Sequence, residues 1–255
     1  VTDVMVNGKW VMLDKELTTL NEEELLKAGN EYARRIDTFL IQREQSVLSK
    51  LVAIGGAEEG ESFEVQAKMA IPAIDPVLNA IESNSDINII RTRHYRQFDT
   101  YMEFEDASQG YVRYREDNTI GEKNEITGVR SRLTLIGQTR EHPFQEDVLL
   151  SRSRFLAPAT QSLRFYKEYF KPSRTTEIEK TRKRYLINYK ETEFFINVDS
   201  FETPKLGCFL EVKSSTWSQQ DAKKKASLAE DLLKILGGTQ KEVILKDYIE
   251  MAEAA

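Results

Sequence analysis

The stretch SFEVQAKMAI, residues 62–71, alternates strictly: Phe63, Val65, Ala67 and Met69 fall on one side of an extended chain and Glu64, Gln66 and Lys68 on the other. The same two-residue period returns in IIRTRHYRQFDTYMEF (89–104), GYVRYRED (110–117), VRSRLTLIG (129–137), EIEKTRKRYLINY (177–189), EFFINVDSF (193–201) and GCFLEVKS (207–214), and predicts a strand in each. Helical spacing dominates elsewhere. Leu25, Ala28, Tyr32, Ile36, Phe39, Leu40, Val47 and Leu51 mark one or two helices that open at Asn21 and end at Gly55-Gly56. Ahead of them, VMVNGKWVM places Asn7-Gly8 between apolar runs, the signature of a tight hairpin. A short helix is expected from Asp75 and Pro76, with Val77, Leu78 and Ile81 on one face. Residues 157–170 and 218–236 read as helices, the second carrying Ala222, Ala226, Ala229, Leu233 and Leu236 as a stripe.

The polar stretch GAEEGES (56–62) reads as a linker, which divides the chain into 1–60 and 61–255. The first residue is Val1, so the chain is read as a processed product or a piece of something longer. At 255 residues and 40% hydrophobic content there is enough apolar surface for one large or two small domains. A net charge of -6 disfavours a general nucleic-acid binder, while leaving room for a local basic cavity. The one cysteine, Cys208, forms no intramolecular disulfide, and a reducing cytoplasm is the simplest setting. With His94 and His142 as the whole histidine complement, neither a zinc hydrolase site nor a Ser-His-Asp triad is expected. Both are read as surface or packing residues, Cys208 as a strand residue, and Lys223-Lys224-Lys225 as a solvated helix face. No apolar run is long enough for a membrane span, so no membrane partner is expected.

Charge changes the picture of the strands. Arg113 and Arg115 share a face; so do Arg130, Arg132, Thr134 and Ile136; so do Lys180, Arg182 and Arg184. Asn197 aligns with Asp199, and Phe209 with Glu211 and Lys213. A sandwich with a wet outer face would show such rows. So would a barrel with these faces turned inward and its apolar faces, such as Leu133 and Leu135, covered by helices. The composition favours the second. Nine bases (Lys68, Arg113, Arg115, Arg130, Arg132, Lys180, Arg182, Arg184, Lys213) stand against three acids (Glu64, Asp199, Glu211). Arginine's planar fork matches phosphate oxygens, and a dry interior of unpaired ions would be prohibitive. An enclosed row of this kind therefore calls for a polyanion, and its few carboxylates suit a hard divalent cation.

These residues resemble the CYTH group of triphosphate tunnel metalloenzymes, which includes class IV adenylyl cyclases, thiamine triphosphatases and inorganic triphosphatases. The resemblance spans roughly 62–250. Glu64, Gln66 and Lys68 stand where the group has Glu-x-Glu-x-Lys; QFDTYMEF and GYVRYRED match two further segments; EKTRKRY carries Lys-x-Arg through Lys180 and Arg182; Asp199, Gly207, Phe209 and Glu211 fall in register with the late motif. It implies an α+β fold, an antiparallel closed β-barrel covered by helices with an N-terminal hairpin-and-helix extension. It further implies hydrolysis of tripolyphosphate, a nucleoside triphosphate or thiamine triphosphate with Mg²⁺ or Mn²⁺; a binding module without turnover and an adenylyl cyclase are the alternatives. Carried over, Glu64, Lys68 and Glu211 would be catalytic, and Glu64, Asp199 and Glu211 would hold metal. Lys68, Arg113, Arg115, Arg130, Arg132, Lys180, Arg182, Arg184 and Lys213 would bind phosphate. Three positions depart from the pattern: Gln66 and Lys213 replace glutamates and Ile136 replaces a lysine. The first 36 or so residues separately resemble the C-terminal tail of metal-dependent amidohydrolases, which implies a fused or neighbouring amidohydrolase. Oligomerisation is left open.

Overall fold

A computed structural model describes residues 1–55, 58–60, 63–137, 149–151, 154–216, 218–237, 244 and 246–254. The chain forms two compact units, Val1–Lys50 and Leu51–Ala255.

In the first unit, β1 (Val4–Val6) and β2 (Lys9–Leu13) pair antiparallel, and β3 (Glu16–Leu17) adds to β2. Asn7 and Gly8 have φ 48° and 73°. Positive φ at both central residues is what a tight primed turn needs, which explains the Asn-Gly pair. Helix α1 (Glu22–Gln45) starts where Asn21 accepts a hydrogen bond from the Glu24 amide at 3.2 Å, and Glu22, Glu23 and Glu24 lie at its positive end. The apolar positions Leu25, Tyr32 and Ile36 on this helix are exposed.

Helix α2 (Val47–Gly55) carries the chain into the second unit. There the strands are β4 (Glu58–Gly60), β5 (Phe63–Ile71), β6 (Ile87–Glu103), β7 (Tyr111–Ile120), β8 (Ile126–Ile136), β9 (Leu149–Ser151), β10 (Arg154–Pro158), β11 (Arg174–Tyr189), β12 (Thr192–Thr203) and β13 (Cys208–Thr216). They form one antiparallel sheet in the order β4-β10-β8-β7-β6-β11-β12-β13-β5-β9. Two expectations change. Part of the expected linker is strand β4, paired with β10; residues 56, 57, 61 and 62 lie outside the described residues, as does His142. The expected helix over 157–170 begins later, as α4 (Leu163–Phe170) with Ser162 as its cap, because 157–158 belong to β10.

The ladder of hydrogen bonds among the described residues is open, with β4 and β9 as its edges. The chain nevertheless joins its two ends twice. Gly60 of β4 and Phe63 of β5 are three residues apart, as are Ser151 of β9 and Arg154 of β10, so each pair of Cα atoms is at most about 11 Å apart. A ten-stranded sheet whose ends lie this close is strongly curled.

The alternation decides which side faces in. Val65, Ala67 and Met69 of β5, Phe194, Ile196 and Val198 of β12, and Leu210 and Val212 of β13 pack on α3 (Asp75–Ser83) and α5 (Gln219–Gly237). Ile81, Ala222, Ala226, Ala229 and Leu232 are fully buried there. Each large apolar side chain in this layer contributes about 1.5–3 kcal/mol. Around β7 and β8, Tyr114 packs on Tyr166 of α4. Gly110, just before β7, has φ 70° and ψ −148°, a conformation open essentially to glycine alone. Among the described residues no helix is long and apolar enough to cross a membrane.

Candidate functional site

The face opposite the helices lines a cavity of about 380 Å³, within the usual range for small-molecule sites. Arg113 and Arg115 reach it from β7, Arg132 from β8, Lys180, Arg182 and Arg184 from β11, and Lys213 from β13. Glu64, Glu211 and Asp247 are its carboxylates. Nine of the residues singled out in the sequence thus converge: Glu64, Arg113, Arg115, Arg132, Lys180, Arg182, Arg184, Glu211 and Lys213.

Three do not. Lys68 shares the inward face but lies at the end filled by the C-terminal segment, where its ammonium donates to the Lys246 carbonyl. Asp199 is fully buried behind the cavity wall. Arg130 is exposed, since β8 carries it two residues beyond Arg132 toward the turn at 121–125. Neither Lys68 nor Arg130 lines the cavity as expected of a phosphate ligand, and Asp199 does not line it as expected of a metal ligand.

Behind the lining runs a layer of aspartates. Arg115 Nε and Nη2 donate to the two oxygens of Asp99 at 2.5 Å each. Asp117 pairs with Arg132 at 3.2 Å and accepts from Gln97 at 2.5 Å. Asp199 accepts from Arg182 Nε at 2.6 Å and from Arg182 Nη2, from Lys180 at 3.3 Å and from the Tyr248 hydroxyl at 3.1 Å. Burial would raise the Asp99 and Asp199 carboxyls, but the guanidiniums against them hold both below the usual carboxylate range. These pairs settle Arg115, Arg182 and Lys180 as wall.

Other cations are less compensated. Among the described residues, neither Arg113 nor Arg184 forms an ion pair; Arg113 Nη2 reaches Thr134 Oγ1 at 3.5 Å and Arg184 Nε donates to Asn197 at 2.7 Å. The Nε atoms of Arg113 and Arg132 are buried without a hydrogen-bond partner among the described residues. Burial, and then the neighbouring guanidiniums, push Arg132 and Arg184 down to about 10. Burial and Arg182 push Lys180 down to about 7. Such crowding of like charge is what a bound anion relieves.

The carboxylates do not fit a divalent cation. Lys213 Nζ lies 2.8 Å from Glu64 Oε1 and 3.4 Å from Glu211 Oε1, while Glu211 Oε2 meets Asn197 at 3.0 Å and Arg182 at 3.3 Å. Asp199 is taken by Arg182 and Lys180. Among the described residues no three His, Cys, Asp or Glu side chains are grouped to hold a metal ion.

The sequence reading missed α6 (Tyr248–Glu253) and the residues it brings. Tyr248 packs on Phe201 and Phe209, and the ammoniums of Lys68 and Lys180 stand 4.2 and 4.3 Å from its ring centroid. Asp247 accepts from Tyr111 at 2.8 Å. The signal was present: Asp247 and Glu250 form a capping box three residues apart.

Among solved structures, the PH1819 protein from Pyrococcus horikoshii OT3 is 17% identical over 75% of this chain and 98% of its own, with a TM-score of 0.54. A Vibrio parahaemolyticus protein provisionally described as an adenylate cyclase is 12% identical over 75% of this chain and 98% of its own, with a TM-score of 0.52. This chain shares their fold. No family model and no curated protein sequence matches it. Nothing found supports the amidohydrolase resemblance of the first 36 residues.

Proposed function

We propose that the second unit binds a triphosphate-class polyanion, in a tunnel formed where the two ends of the curled sheet meet. The observation that carries this is the convergence of seven cations on one cavity holding three carboxylates, with Arg113 and Arg184 unpaired among the described residues. Four of the seven face the ligand space with donors to spare or a neighbouring charge to relieve: Arg113, Arg132, Arg184 and Lys213. A row of phosphates presents several charged oxygens along a line, which guanidinium forks from separate strands match one by one. The aspartates beneath Arg115 and Arg182 fix those forks before the ligand arrives, so less side-chain entropy is lost on binding.

Hydrolysis or cyclisation of the bound triphosphate is the second reading. It is supported by the fold shared with a protein provisionally described as an adenylate cyclase and by Glu64 and Glu211 at the cavity. A divalent metal ion would neutralise phosphate charge and orient the attacking oxygen, but Glu64, Asp199 and Glu211 are all engaged by bases.

Titration with tripolyphosphate, ATP and inorganic phosphate tests the first reading. It expects the two triphosphates to bind at least tenfold more tightly than inorganic phosphate, and equal weak binding of all three would defeat it. Phosphate or cyclic AMP release, with and without Mg²⁺ or Mn²⁺, decides the second.

A further inference from the structure

We infer that Lys213 is a built-in counter-cation that replaces a divalent metal in this cavity, so that the polyanion is taken up free of metal. The part concerning the polyanion rests on the function proposed above; the part concerning the metal stands on geometry alone.

The ammonium of Lys213 lies between two carboxylates that approach from different strands, 2.8 Å from Glu64 Oε1 of β5 and 3.4 Å from Glu211 Oε1 of β13. Both strands are fixed by register, with Glu211 opposite Lys68 and Lys213 opposite Gln66, so the arrangement is built by the sheet rather than by a mobile loop. Glu211 is 2% exposed and Lys213 19% exposed. The remaining oxygen of Glu211 is held by Asn197 and Arg182. Oxygens paired with an ammonium are the ones a hard cation would need, and a cation placed there would meet Lys213 as a like charge at contact distance. Gln66, the register partner of Lys213, contributes an uncharged amide where another acid would have been required to restore a binding site. Between Glu64 and Glu211 the cavity therefore carries a fixed ammonium in place of an exchangeable divalent cation.

The consequence concerns the form of the ligand. In solution Mg²⁺ complexes triphosphates and lowers their charge. A cavity already holding its cation favours the uncomplexed, more highly charged species.

Mn²⁺ titration followed by electron paramagnetic resonance of the full chain tests the metal part. Wild type is expected to hold no Mn²⁺ in the cavity. Lys213→Glu is expected to gain one site at least about tenfold tighter than anything in wild type, because a repelling charge becomes a ligand beside two released carboxylates. Adding Glu211→Gln should remove that site. Lys213→Met, closer to lysine in shape, should show a weaker gain in the same direction, and circular dichroism melts establish that each variant is folded. The second arm titrates wild type with tripolyphosphate in EDTA and in Mg²⁺; binding in EDTA should be as tight or tighter. The inference is overturned if wild type holds one Mn²⁺ that Glu211→Gln abolishes, if folded Lys213→Glu gains none, or if tripolyphosphate binds only with Mg²⁺. Should tripolyphosphate bind under neither condition, the proposed function fails while the Mn²⁺ arm still decides the role of Lys213.

Discussion

Replacing Asp199 by alanine is the most informative single change. Asp199 is fully buried and receives both Arg182 Nε and Nη2, Lys180 Nζ and the Tyr248 hydroxyl. Without it Arg182 keeps only Glu211, at 3.3 Å, and Lys180 keeps no ion pair among the described residues. The two bases respond differently. Lys180, already lowered to about 7, sheds its proton and limits its own penalty. Arg182 cannot deprotonate in a protein and stays charged. Removing one partner of a buried pair costs about 3–5 kcal/mol, against a total stability of about 5–15 kcal/mol for a typical domain. Urea unfolding followed by far-UV circular dichroism reads this as a lower midpoint at an unchanged slope. Tripolyphosphate should then stabilise Asp199→Ala more than wild type, because Arg182 is released from Asp199 to meet it. Saturation at a hundred times the dissociation constant is worth about 2.7 kcal/mol. A loss below about 1 kcal/mol would refute the picture of Asp199 as the anchor of the cavity wall.

Two further outcomes follow from the same structure. Lys180 is charged in the folded state only below about pH 7, whereas a free lysine stays charged to about 10.4. The unfolded chain thus binds the extra proton between these values, so stability rises with pH across that window, while anion affinity falls as pH rises through 7. Sulfate, whose charge is constant there, should lose up to about tenfold in affinity per pH unit above 7, and Lys180→Met should flatten the profile. Gly110→Ala should destabilise by about 2 kcal/mol or more in thermal unfolding, since φ 70° with ψ −148° is strained for any side chain and a Cβ there would overlap the Ile136 carbonyl. A wild-type midpoint would mean that the turn into β7 has another geometry.

The inward face of the sheet was legible in the sequence because a period of two is a property of the backbone. Arg113 with Arg115, Lys180 with Arg182 and Arg184, and Glu211 with Lys213 all follow from it. Depth along a strand does not. Arg130 and Arg132 share a face, yet only Arg132 lines the cavity, and Lys68 and Glu64 share a face, yet Lys68 is covered by the C-terminal segment. Pairing across strands was equally hidden. That Asp99 meets Arg115 and Asp117 meets Arg132 depends on the registers of β6, β7 and β8, which no single strand encodes. Lys213 was visible as a departure from an acidic pattern. Its position between Glu64 and Glu211 needed β5 beside β13. The hairpin at Asn7-Gly8 and the cap at Asn21 were read correctly because both are local. Spacing alone does not say whether the α1 stripe is buried, since that depends on what the rest of the molecule supplies.

The central claim is that unpaired guanidiniums in the cavity bind a triphosphate. Isothermal titration of tripolyphosphate in EDTA, into wild type and into Arg113→Met with Arg184→Met, tests it most directly. The account predicts one site per chain in wild type and a loss of at least about a hundredfold in the double variant, each charge-assisted contact contributing about 1.5–3 kcal/mol. No binding to wild type, or equal binding to both proteins, would contradict it.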